Sequence, residues 1–120
     1  MVEEKTYRVA ILRDGDDIGI GIERYNCKEI EFIGSYYLQV SEYSRRKTFE
    51  FIIDQVTSQL NEDEIATIRV SDPTLRTKRS WYRHFTNLNV LVYPARRFRD
   101  TNSLAADALN RKDTIIETLK

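Results

Sequence analysis

The chain has 120 residues, of which 41% are hydrophobic and 32% charged, and its formal net charge is zero. This composition is too apolar for a disordered chain, and the length suits one domain with its own core. The chain has no apolar run of about eighteen residues and no apolar leader, because it starts with the charged stretch MVEEKTYR. We therefore expect a single domain over residues 1–120, located in the cytoplasm, with no membrane partner.

The zero net charge conceals a strongly basic segment. Residues 69–99 contain eight Lys or Arg and one acid, Asp72, which gives this segment a net charge of +7. The run Arg45-Arg46-Lys47 forms a second basic cluster. Segregated charge of this kind attracts polyanions, although a solvated surface with counter-charges folded beside it is equally compatible with the pattern. The single cysteine, Cys27, cannot form an internal disulfide, and no Cys and His spacing resembles a zinc site.

The first third of the chain predicts an antiparallel meander of three strands. Residues 6–13 are rich in β-branched and aromatic side chains, and residues 18–25 alternate isoleucine with glycine or glutamate. The gap at 14–17 has the length of a hairpin turn. A third strand is predicted over 29–40, with a bulge or bend at Gly34. The residues expected on one side of the third strand are Ile30, Phe32, Tyr36, Leu38 and Val40.

The rest of the chain alternates helices and strands. Ser44 predicts the N-cap of a helix that runs to about residue 60, followed by a short strand over 64–71 that lies parallel to the first strand. The stretch SDP at 71–73 is typical of the start of a second helix, and residues 88–94 predict a fifth strand. The apolar positions of the first helix are Phe49, Ile52, Ile53, Val56 and Leu60.

The last helix is predicted over TNSLAADALNR at 101–111, with Thr101 and Asn102 as candidate N-caps. Its apolar stripe consists of small and aliphatic residues, and Asp107 lies at the margin of that stripe. The element order βββαβαβα predicts an α/β fold. We expect a five-stranded mixed sheet of order 3-2-1-4-5 with helices on both faces and with the first, fourth and fifth strands parallel.

Four carboxylates lie at the ends of predicted strands or within predicted helices. Asp14 ends the first strand, Glu50 lies in the first helix, Asp72 ends the fourth strand and Asp107 lies in the last helix. Because parallel neighbours end at the same sheet edge, Asp14 and Asp72 are expected there together. Converging carboxylates repel each other unless divalent cations lie among them, and oxygen ligands select Mg²⁺ or Mn²⁺. Each acid also has an ordinary structural interpretation: a turn residue, a surface acid or an N-cap.

In these features the sequence resembles type 1 ribonuclease H. The motifs that carry the resemblance are LRDG with Asp14, TFEFII with Glu50, VSDP with Asp72 and NSLAADAL with Asp107. The resemblance covers nearly the whole chain in element order. It implies a ribonuclease-H-like fold and an endonuclease that hydrolyses the RNA strand of RNA–DNA hybrids. It also implies that these four acids are catalytic and hold two Mg²⁺ or Mn²⁺ ions.

The sequence also departs from that family. Only 35 residues separate Asp72 from Asp107, the loop PARRFRD before the last helix has no histidine, and Arg46 and Lys47 stand where the family has asparagines. Pro73 replaces a polar residue. Three alternatives therefore stay open: a catalytically weak or inactive module that binds nucleic acid or protein, a resolvase-type DNA nuclease of the same superfamily, and, as a distant third, a small regulatory α/β domain with no nucleic-acid role. The sequence leaves the oligomeric state open.

Basic residues are the predicted contacts to the phosphates of the nucleic acid. Trp81 is a candidate for base stacking, although a place in the core is the more ordinary role for it. The predicted nucleic-acid-binding set is Arg46, Lys47, Arg76, Lys78, Arg79, Trp81, Arg83, Arg96, Arg97 and Arg99.

Overall fold

A mixed sheet of six strands forms the centre of the part of the chain that the structure describes. The computed structural model describes residues 3–39, 44–72, 82–83, 85–87 and 89–119. The strands are β1 (Glu3–Asp14), β2 (Asp17–Asn26), β3 (Glu29–Gln39), β4 (Glu64–Ser71), β5 (Val90–Pro94) and β6 (Ile115–Thr118), and the helices are α1 (Arg45–Thr57) and α2 (Arg99–Arg111). No helix within the described residues is long and apolar enough to cross a membrane. The helix predicted to begin at 71–73 lies largely outside the described residues.

Strands β1, β2 and β3 form the predicted antiparallel meander. Gly15 takes a φ of 58° in the two-residue turn between β1 and β2, a conformation that glycine adopts without strain. The bulge or bend expected at Gly34 is wrong, because Gly34 pairs in regular register with Ile22, and the register shifts instead between the pairs Arg24–Phe32 and Tyr25–Ile30, which leaves the extra residue at Glu31 of β3. A Cβ at Gly34 would lie 2.4 Å from the ring of Tyr36, so this glycine makes room for a core side chain.

Strands β1, β4 and β5 run parallel, as predicted. The predicted five-strand sheet of order 3-2-1-4-5 is wrong in its strand count, because β6 pairs antiparallel with β3. The order across the whole sheet is β5-β4-β1-β2-β3-β6. All four residues of β6 are exposed, so its sequence IIET lacks the alternation of apolar and polar residues that identifies a half-buried strand.

The main core lies between α1 and one face of the sheet. Ser44 caps α1 as predicted, because its Oγ accepts a hydrogen bond from the backbone N–H of Lys47 at 3.1 Å. Phe49, Ile52 and Val56 then fall at helical spacing and are buried against the sheet. The strand residues of this core include Tyr7, Val9, Ile11, Ile18, Ile20, Ile22, Ala66, Ile68 and Val70.

Helix α2 packs very closely on the opposite face of the sheet. Gly19 and Gly21 alternate with the core isoleucines of β2, so they face away from α1. A Cβ at Gly19 would lie 2.2 Å from the carbonyl oxygen of Ala105, and one at Gly21 would lie 2.1 Å from that of Thr101. The two glycines thus let the helix backbone touch the strand. The helices lie on both faces, as predicted.

The start of α2 differs from the prediction. The helix begins at Arg99, its N-cap position is Phe98, and that residue makes no side-chain cap hydrogen bond. Thr101 and Asn102 are the predicted N-caps, but both lie within the helix, and Thr101 is buried. Its hydroxyl donates to the carboxylate of Glu23, which is buried on β2. The polar residue at this position therefore satisfies a buried acid and does not cap the helix.

Candidate nucleic-acid interface

Asp72, at the end of β4, is buried beside an arginine. Nη1 of Arg13 lies 3.0 Å from Oδ1 and 3.2 Å from Oδ2 of Asp72, whose side chain is 0% exposed. Tyr82 is buried near this pair. Desolvation and then the negative charge of Asp72 raise the pKa of Tyr82 to about 12. The buried carboxylate is therefore compensated by a guanidinium of this chain.

Asp14 leaves the same edge of the sheet as Asp72 but lies further along its strand. Extending the parallel register by one residue places Asp72 level with Ile11, three residues before Asp14. Three residues of strand span about 10 Å, and an odd separation turns the two side chains to opposite faces. Arg13 shares the face of Ile11, and it is this side chain that reaches Asp72.

Glu50 and Asp107 are both exposed. Glu50 pairs with Arg46, one turn earlier in α1, at 3.4 Å between Nε and Oε1. Asp107 lies on the exposed side of α2, away from the buried Ala105 and Ala108. Because α1 and α2 cover opposite faces of the sheet, these two acids lie on opposite sides of it.

In the arrangement described, the four predicted carboxylates do not converge on one point. Paired catalytic ions lie only about 3.5–4 Å apart, so their ligands must converge. Asp72 instead contacts Arg13, while Asp14 lies further along β1 and faces the other side. Over the described ranges, which include all four predicted acids, no three His, Cys, Asp or Glu side chains form a group that could hold a metal ion. The Mg²⁺ or Mn²⁺ site stays a prediction.

A row of exposed side chains crosses the sheet on the face that carries α2. Arg8 of β1 is the register partner of Arg69 of β4, and Arg69 is the register partner of Tyr93 of β5. All three are exposed, since α2 lies over β1, β2 and β3 and leaves this part of the face open. We call these three residues the arginine row. Like charges on adjacent strands repel, so two neighbouring arginines favour an anion from outside the chain.

Aromatic rings hold one end of the arginine row. The guanidinium carbon of Arg8 lies 4.3 Å from the ring centre of Tyr25 and 5.2 Å from that of Phe98. Phe98 belongs to the loop between β5 and α2, and this loop is therefore anchored next to Arg8. The exposed arginines of this loop and of the first turn of α2 are Arg96, Arg97 and Arg99.

Two surface clefts flank Tyr93, which is 45% exposed. Both clefts also include Pro94, and each contains an arginine. The first cleft has a volume of about 370 Å³ and is lined by Glu4, Thr67, Arg69, Leu91, Tyr93 and Pro94. The second has a volume of about 390 Å³ and is lined by Arg83, Thr86, Val92, Tyr93 and Pro94.

The outer edge of β5 is covered by the segment before it. Val92 donates its backbone N–H to Oγ1 of Thr86 at 3.0 Å, and Val90 donates to Oδ1 of Asn87 at 2.9 Å. These bonds occupy backbone donors that an added strand would need. An added strand therefore does not pair readily with this edge, whereas the ring of Tyr93 on the face of β5 is exposed.

The predicted basic residues divide into three groups. Arg83 lines the second cleft, and the three arginines at 96–99 are exposed near the start of α2. Arg46 and Lys47 are exposed on α1, which lies on the other face. The remaining predicted contacts lie outside the described residues, and they are Arg76, Lys78, Arg79 and Trp81.

Sequence reasoning did not single out Arg8, Arg13 or Tyr93 as site residues, and it counted Arg69 only as part of the basic segment. One signal was present in β4, EIATIRVS. A strand in the interior of a parallel sheet is usually apolar on both faces, so an arginine within it indicates a face that no helix covers.

Comparisons with known proteins assign no family to the chain. No protein-family model matches it, and neither a curated protein nor a solved structure matches it. The resemblance to ribonuclease H therefore depends on the element order and on the four acidic motifs alone.

Proposed function

We propose that this protein binds nucleic acid through the arginine row and the arginines next to it, without cutting the bound strand. The observation that carries the proposal is the register of Arg8 with Arg69 on an exposed sheet face. Guanidinium groups form paired hydrogen bonds with phosphate oxygens, and two on neighbouring strands suit a polyanion with repeated phosphates. The part of the proposal that excludes cleavage is supported by Arg13, because its guanidinium compensates the negative charge of the buried Asp72.

The strength of this binding should depend steeply on salt. Each phosphate contact releases counterions, so the logarithm of the binding constant falls by about 0.7–0.9 per contact for each unit of log salt concentration. Arg8 and Arg69, together with the exposed arginines at 96–99, supply about four or five such contacts. We therefore expect a slope of roughly −3 to −4 for the full interface.

The test is fluorescence anisotropy with labelled single-stranded and duplex oligonucleotides of DNA and RNA, between roughly 50 and 200 mM salt. Arg8→Gln and Arg69→Gln should each weaken binding and reduce the slope by about 1. Lys112→Asn is the matched control. It removes one exposed positive charge from a left-handed C-cap residue that asparagine tolerates, on another part of the surface. A slope near zero, or a double arginine variant that binds as the parent does, would contradict the proposal.

A nuclease of the ribonuclease H type is the second candidate, and the parallel pairing of β1 with β4 favours it. That pairing brings the strand ends that carry Asp14 and Asp72 to one sheet edge. By the resemblance, the substrate would be the RNA strand of an RNA–DNA hybrid. Labelled hybrid, duplex DNA and duplex RNA are incubated with the protein and Mg²⁺ or Mn²⁺, with Asp72→Asn as the control. Cleavage above the control supports the nuclease, and binding without cleavage supports the first proposal.

A further inference from the structure

We infer that the ligand of the arginine row is single-stranded nucleic acid, with one base stacked on the ring of Tyr93. This inference depends on the proposed function and specifies its ligand. Tyr93 ends the row on β5, next to Arg69, and 45% of its surface is exposed. An exposed tyrosine offers a flat apolar surface on which any base can stack, because every base has a π-face.

The surroundings of Tyr93 suit a strand that passes over it. The ring of Tyr93 lines both the cleft of about 370 Å³ and the cleft of about 390 Å³, and Pro94 borders both. Arg69 lines the first cleft and Arg83 lines the second. A base on the ring would therefore lie near two guanidinium groups, one in each cleft, that can contact the neighbouring phosphates. Base-paired duplex keeps its base faces stacked on one another, so it cannot offer one to Tyr93 without unstacking.

The two hydroxyl groups that line the clefts are engaged within the protein. The hydroxyl of Thr67 donates to Oε1 of Glu4 at 2.7 Å, and Oγ1 of Thr86 accepts the backbone N–H of Val92 at 3.0 Å. Stacking and charge should therefore contribute more to the binding of the nucleic acid than hydrogen bonds to base edges do. We expect binding with little preference for sequence, as is typical of surfaces that combine stacking with a basic groove.

The experiment compares a labelled oligothymidylate of about 12 nucleotides with a duplex of the same length at equal salt. The single strand should bind more tightly. Tyr93→Ala should weaken its binding by about 5- to 100-fold, with no change in duplex binding or in the salt slope. Tyr93→Phe keeps the stacking surface and should bind as the parent does. Ile116→Ala, at an exposed apolar residue of β6, is the control for loss of surface area.

The outcomes separate this inference from the proposed function. Equal affinity for single strand and duplex, with no effect of Tyr93→Ala, would overturn the inference and leave nucleic-acid binding intact. Absence of binding to every oligonucleotide would overturn both. If circular dichroism shows that Tyr93→Ala is unfolded, photocrosslinking of the parent protein to 5-iodouracil-substituted oligonucleotide decides the question. Crosslinks that mass spectrometry maps to Tyr93 support the inference, and crosslinks found only elsewhere overturn it.

Discussion

Arg13 and Asp72 form an ion pair where the neighbouring strands β1 and β4 end, and one guanidinium nitrogen contacts both carboxylate oxygens, at 3.0 and 3.2 Å. Of the four acids that the sequence singles out, Asp72 is the one that is buried. A cation of the chain therefore occupies the position beside Asp72 where the resemblance to ribonuclease H places a metal ion.

Replacing Asp72 by Asn should destabilise the protein. The change removes the carboxylate charge that contacts the Arg13 guanidinium, which is 23% exposed, and we expect a loss of about 1–3 kcal/mol in the free energy of unfolding. Urea denaturation measures it. Glu50→Gln is the control, because it removes an exposed ion pair with Arg46 and should change stability by less than about 0.5 kcal/mol.

The opposite result would be equally informative. Carboxylates that converge on a metal site repel each other in the absence of the metal, so neutralising one of them stabilises the fold. An increase in stability for Asp72→Asn would therefore favour the carboxylate cluster over the ion pair.

Adding a methyl group at Gly21 should displace α2. A Cβ there would meet the backbone carbonyl of Thr101 at 2.1 Å, and a backbone atom cannot rotate away as a flexible side chain can. We expect Gly21→Ala to cost about 1–3 kcal/mol or more, measured by thermal or urea denaturation. Gly15→Asn serves as the control, because it has a positive φ that asparagine tolerates and no atom within 4 Å of its Cβ position. A stable Gly21→Ala variant would contradict the close contact of α2 with β2.

Removing the hydroxyl of Thr101 should leave the buried carboxylate of Glu23 without one of its donors. Thr101→Val preserves the shape of the side chain, so the expected loss of about 1–3 kcal/mol reports the hydrogen bond. Thr101→Ser keeps the hydroxyl and should lose less. The contrary result, equal stability of the serine and valine variants, would mean that packing alone determines the effect.

Stability should fall at alkaline pH because of Tyr36. Burial, and next the proximity of Tyr7, raise the pKa of Tyr36 from 10.0 to about 12. The unfolded chain therefore loses the phenol proton at lower pH than the folded one. The associated stability is present below pH 10 and is lost as the pH rises to about 12, with a total near 2–3 kcal/mol.

Tyr36→Phe tests this expectation. Within the described residues the Tyr36 hydroxyl has no hydrogen-bond partner, so its removal should not lower stability at neutral pH. The variant should lose less stability than the parent between pH 10 and 12, measured by denaturation and by ultraviolet spectra of tyrosinate. Tyr93→Phe, at an exposed ring, is the control. An unchanged alkaline profile in Tyr36→Phe would contradict the assignment.

The sequence predicted the parts of the fold that have strong periodicity. The alternation in β2 and the helical spacing of Phe49, Ile52 and Val56 both reflect one-sided burial, and the parallel placement of β4 follows from the crossover through α1. The strand β6 has no buried face, so no pattern could identify it. Local sequence patterns therefore predicted the elements that have one face buried in the core.

The candidate site was harder to predict because it depends on register between distant segments. Arg8 and Arg69 are 61 positions apart in the chain and become neighbours only through the pairing of β1 with β4. The same holds for Arg13 and Asp72, which meet across two strand ends. The alternation within each strand indicates which face a side chain takes, but the pairing of two particular residues depends on both strands, which no single segment determines.

The contacts of the Arg8 guanidinium with the rings of Tyr25 and Phe98 have a consequence for the entropy of binding. A free arginine has many rotamers, and ordering such a side chain at an interface costs about 0.5–1.5 kcal/mol. With ring centres at 4.3 and 5.2 Å, the guanidinium of Arg8 is restricted when the protein folds, before any anion arrives. The entropy cost of ordering Arg8 therefore arises during folding and not during binding. An anion that binds Arg8 contacts a guanidinium whose direction is already fixed.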